Sequence, residues 1–127
     1  MDSLEIAKNM FSNSNITNFI SEIPNLKVAD EMFSNCNSLS EQSVLHILNC
    51  LKFRNSMNTS ANIDFSKYMS HANISSWFVG ENYDKLMGIF DNTSLEEDRY
   101  MATLRGTFTN NSGGVWNVTI TIEDSDD

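Results

Sequence analysis

Near its N-terminus the chain repeats itself. Leu4-Glu5-Ile6-Ala7-Lys8-Asn9-Met10-Phe11-Ser12-Asn13-Ser14-Asn15 returns, 22 residues later and without a gap, as Leu26-Lys27-Val28-Ala29-Asp30-Glu31-Met32-Phe33-Ser34-Asn35-Cys36-Asn37. Seven of the twelve positions are identical, and Ile6 meets Val28. A unit this short cannot enclose its own apolar side chains, so such units are expected to stack. Phe11 and Phe33 would then form an internal column, and Asn13 and Asn35 would occupy one repeated turn. Fainter echoes over 65–95 extend the pattern: Tyr68 to Ile74 resembles Met10 to Ile16, and Ile89 to Leu95 resembles Met32 to Leu39 with one deletion. On that reading Phe90 joins the column and Asn92 the turn.

Beyond residue 39 the period changes. Ser38 with Glu41 makes a capping box, and Val44, Leu45, Leu48 and Leu51 follow at helical spacing, which predicts an amphipathic helix over 39–53. Residues 54–63 are polar and read as a loop. Tyr83, Leu86, Met87 and Phe90 predict a second helix over 82–91, and Ser94 with Glu97 repeats the capping signature. Over 100–122 apolar residues alternate with Thr and Asn on either side of Asn110-Asn111-Ser112-Gly113-Gly114, the pattern of a β-hairpin with one face on a core. Residues 123–127 form an acidic tail. The expected architecture is therefore α+β in a single domain, 1–127: a short stack of repeats, one or two amphipathic helices and a C-terminal hairpin.

Val28, Phe33, Cys36 and Leu39 stand where the BspA-like leucine-rich repeat has its Ile, Phe, Cys and Leu, and 22 residues falls in the leucine-rich-repeat range. The segment resembles that family. Met32 departs from its Ala, and Ser14 and Thr93 replace the Cys in the other copies. The resemblance covers 4–39 well and 65–95 poorly. It implies a leucine-rich-repeat-like binding scaffold without catalytic residues, similar to those of bacterial surface and phage-encoded proteins.

Composition narrows the function classes. A net charge of −9 argues against phosphate or nucleic-acid binding. No apolar run is long enough to span a bilayer, and MDSLEIAKNM lacks the apolar stretch of a secretory signal. The chain is thus expected to be cytoplasmic when made; virion association is what the resemblance to phage-encoded proteins implies. Asn and Ser number 17 each, as expected of a solvated surface, with some Asn held at turns.

No catalytic set, phosphate loop or metal motif is visible. Cys36 and Cys50 form no CxxC, and His46 and His71 complete no zinc pattern; two buried reduced thiols are expected, a disulfide being the alternative. No cofactor and no metal are therefore expected. Candidate interaction residues are Trp77, Phe78 and Trp116, because large aromatics anchor interfaces, although Trp77 and Trp116 also suit a core. If 77–78 lies on a strand, one of the two rings faces outward. Glu96, Glu97 and Asp98 form an acidic cluster. The leading expectation is a non-catalytic interaction or structural module, with a protein partner or self-association; the resemblance implies a phage-encoded virion or accessory component that docks on a larger assembly. The alternative is a small acidic inhibitor of a host nuclease or defence enzyme, acting by charge complementarity.

Overall fold

The computed structural model describes residues 1–68, 74–91, 96–98 and 102–123. The chain is α+β. It begins with two irregular coils, continues through a helix, and ends in a mixed sheet with two short helices on the way.

The two coils lie one on the other at the 22-residue offset. Ile6 and Val28 form a parallel bridge. The N–H groups of Ala7, Asn9, Phe11 and Asn13 donate to the carbonyls of Val28, Asp30, Met32 and Ser34 at 2.8–3.1 Å. The turns repeat as well: Asn9 and Glu31, then Asn13 and Asn35, have φ between 57° and 62°. Asn tolerates this left-handed region better than most residues, which explains three of the four. Asn35 Nδ2 also donates to Asn13 Oδ1 at 2.8 Å, so one amide ladder links the turns. Inside, Phe11 stacks on Phe33 with centroids 5.6 Å apart. The Cys36 S–H donates to the Phe11 carbonyl at 2.8 Å. Two coils joined by one β-bridge and a run of hydrogen bonds are what the structure shows; they do not establish a leucine-rich-repeat-like stack.

Helix α1 spans Glu41–Asn49. Its N-cap is Ser40, whose Oγ accepts from Ser43 N at 3.2 Å, and not Ser38 as the capping box suggested. The shift has a tertiary cause. Ser40 N donates to Thr17 O at 2.8 Å, and Ser43 Oγ accepts from Phe19 N at 2.8 Å, so the helix start is pinned to the first coil. Val44, Leu45, Ile47 and Leu48 form its buried face. The α-helix stops at Asn49, and Cys50–Arg54 continue as one π-helical turn.

Strand β1, Ser60–Tyr68, begins inside the segment read from sequence as loop. It is followed by α2, Ile74–Trp77, and α3, Glu81–Met87, which is shorter than the expected 82–91. The last three strands are β2, Glu96–Asp98, β3, Thr103–Thr109, and β4, Val115–Glu123. The sheet order is β1-β4-β3-β2, with β1 parallel to β4 and the other pairs antiparallel. The expected hairpin is present as β3 and β4, with Phe108 opposite Trp116 and Gly106 opposite Val118.

The aromatic column is continued by Phe65 of β1, which stacks on Phe33 with centroids 5.6 Å apart. Phe90 does not join it. Phe90 packs beside Phe108, over Gly106, where a Cβ would lie 2.6 Å from its ring. The expectation of a degenerate repeat over 65–95 is corrected accordingly: its described parts are a strand and two short helices. Its repeat copy at 69–73, the Asn92 turn, the capping pair's Ser94 and the tail over 124–127 lie outside the described residues. Among the described residues, no helix is long and apolar enough to cross a membrane.

Candidate functional site

The aromatic residues nominated by the sequence lie in the core. Trp116 and Phe78 are fully buried, and Trp77 is only 5% exposed. Trp116 projects from the inner face of β4. Trp77 ends α2 and Phe78 follows it directly; with no strand there, the alternation that would turn one ring outward does not apply, and both pack inward 4.9 Å apart. None of the three offers its ring to a partner. Glu96, Glu97 and Asp98 form β2, at the sheet edge, and their side chains lie outside the described residues. Of the residues carrying the acidic-inhibitor alternative, only Glu123 has a described side chain. His71 is outside the described residues.

The exposed apolar surface lies elsewhere. Ile6 is 68% exposed, Met10 44% and Ile20 79%. All three lie within residues 6–20; Phe53, Tyr68 and Val79 are exposed too, each on a different part of the chain. The residue equivalent to Met10 in the second coil, Met32, is 0% exposed. Sequence patterning misses this difference because the two copies carry the same side chains. Position in the fold decides it: the second coil is covered by the first, and among the described residues none covers the first in the same way.

A second arrangement joins Glu22, His46, Cys50 and Arg54. His46 and Cys50 are four apart and share a helix face; the π-helical turn then brings Arg54 round to the same side. Glu22 reaches them from the segment after the first coil. The Cys50 S–H donates to Glu22 Oε2 at 3.1 Å, and Arg54 donates to Glu22 Oε1 at 2.7 Å. His46 Nε2 lies 3.4 Å from Cys50 Sγ and 3.1 Å from the Ser21 carbonyl. Burial, then the Glu22 carboxylate, pushes the Cys50 thiol up to about 11. Glu22 is held below its ordinary value, first by the Cys50 S–H and then by Arg54. The thiol here is a protonated donor, the opposite of what an activated nucleophile needs. Cys36 and Cys50 are both free and buried. Sequence inspection finds no such group, because its members stand at 22, 46, 50 and 54 in the chain and follow no metal or catalytic spacing.

A shallow polar depression of about 330 Å³ lies between the second coil and the outer sheet face, lined among others by Asn35, Asp64, Arg105, Thr119 and Glu123. It is open to solvent and mixed in charge.

No family model, no curated protein and no solved structure matches the chain. Its function is therefore argued from these surfaces alone.

Proposed function

We propose that the chain is a non-catalytic interaction module that self-associates through the exposed end of its first coil, as a component of or accessory to a larger assembly. The observation that carries this reading is the contrast between Met10 and Met32: one repeat position, buried in the second coil and 44% exposed in the first. Ile6 and Ile20, 68% and 79% exposed, add further apolar surface in the same N-terminal segment. Apolar side chains of this size gain about 1.5–3 kcal/mol each on full burial, so a complementary surface is favoured to cover them. A second first coil supplies such a surface, and a two-fold arrangement lets each copy bury the other's patch.

Light scattering across a concentration series tests the proposal. The wild-type mass is expected to rise from one chain to two, and Ile6→Glu/Ile20→Glu is expected to stay monomeric with an unchanged far-UV spectrum. A wild-type protein that is monomeric at every concentration overturns it, as does a double variant that dimerises as the wild type does.

A further inference from the structure

We propose that Glu22, His46 and Cys50 form a binding site for one divalent cation of borderline softness, Zn²⁺ being the best fit, with water completing the coordination. Among the described residues these three form the group able to hold a metal, their donor atoms all within 4.8 Å of one another. The inference stands on this geometry and is independent of the docking proposal.

The spacing suits a tetrahedral ion. With Zn–S near 2.3 Å and Zn–N or Zn–O near 2.0–2.1 Å, the edges of the tetrahedron are roughly 3.3–3.6 Å. Here Cys50 Sγ is 3.1 Å from Glu22 Oε2 and 4.0 Å from His46 Nδ1, while His46 Nε2, 3.4 Å away, faces the Ser21 carbonyl. Small side-chain rotations bring all three onto one ion. The donor set selects the metal class. Thiolate and imidazole favour Zn²⁺ over Mg²⁺ and Ca²⁺, which take oxygen ligands. One thiolate and one carboxylate bring two negative charges to the ion, the carboxylate being shared with Arg54. As the Sγ–metal bond forms, the thiol proton passes to solvent.

The surroundings orient these donors. Arg54 occupies Glu22 Oε1 and leaves Oε2 facing the sulfur. The Ser21 carbonyl accepts from His46 Nε2–H at 3.1 Å, which leaves Nδ1 as the nitrogen with a free lone pair. A ligating His that donates its other N–H to a carbonyl is the usual outer-shell arrangement. Cys50 is buried and Glu22 exposed, so the cation and its water enter from the Glu22 side. The ion would clip the segment after the first coil to the end of α1.

The test titrates metal-free protein with Co²⁺ and then Zn²⁺. One equivalent of Co²⁺ is expected to give intense tetrahedral d–d bands and a thiolate-to-cobalt charge-transfer band, both bleached by Zn²⁺. At free Zn²⁺ about 100 times the dissociation constant, the melting temperature is expected to rise by about 10 °C. Cys50→Ser is expected to abolish the charge-transfer band, and His46→Gln to weaken binding about tenfold or more. Cys36→Ser is expected to leave both unchanged. A wild-type spectrum without the thiolate band overturns the proposal, and that reading needs no variant to fold. A band that survives Cys50→Ser, or disappears with Cys36→Ser, overturns it equally.

Discussion

At the scale of the residue, a few positions are decided by contacts that only the fold supplies. Gly114 closes the β3–β4 turn against Thr59, and a Cβ there would lie 1.8 Å from the Thr59 carbonyl oxygen. Backbone cannot swing aside as a side-chain tip does. Gly114→Ala is therefore expected to cost about 2–3 kcal/mol, read as a lower denaturant midpoint. Asp64 carries a pH-dependent term. Partial burial, then the charges of Asp30 and Glu31, hold its carboxyl above the ordinary range. The fold favours its neutral form, so its contribution is fully present below the unfolded value and is lost as pH rises through the raised one. Asp64→Asn is expected to raise the melting temperature at pH 7 and leave it unchanged at pH 3; an equal rise at both would show that charge is not the cause. The glycine turn was legible in the sequence as a loop between alternating strands. The burden on Asp64 was not, because Asp30 and Glu31 are more than thirty residues away.

At the scale of the element, the strongest periodic signals gave the right kind of structure and their ends moved. The helix over 39–53 exists, but it starts after Ser40, and its last turn is π-helical. Capping boxes are local patterns, whereas Thr17 and Phe19 chose the cap by hydrogen bonds from the first coil. Ser40→Ala is expected to cost about 1 kcal/mol of unfolding free energy, more than Ser38→Ala, which the capping pattern alone would rank first. Strand β1 was missed because Ile63 and Phe65, its fully inward apolar residues, are flanked by polar ones, and its partner β4 begins more than fifty residues later. A buried polar knot ties these elements together. Asn55 Nδ2 donates to Leu26 O at 2.7 Å, while its Oδ1 accepts from Asn110 Nδ2 at 3.1 Å. Asn110 Oδ1 in turn accepts from the N–H groups of Ser112 and Gly114, both at 3.0 Å. Asn55→Leu removes the partners of the Leu26 carbonyl and the Met57 N–H and is expected to cost about 2–4 kcal/mol by chemical denaturation.

At the scale of the whole molecule, charge and stacking oppose each other. Copies carrying −9 repel, while the first-coil patch draws them together. Added salt screens the repulsion, so the proposed dimer is expected to tighten between about 0.02 and 0.2 M NaCl; weakening over that range would point to a charge-driven contact instead. The sequence by itself determined the α+β class, the pairing of the two N-terminal units and the hairpin, because each follows from a period or an offset readable within a short window. Only the tertiary structure decided that Phe65 rather than Phe90 continues the aromatic column, that Trp77, Phe78 and Trp116 are interior, and that Glu22 meets His46 and Cys50. Those outcomes depend on which distant segments come to lie side by side, and contact between side chains far apart in the chain leaves no periodic trace in it.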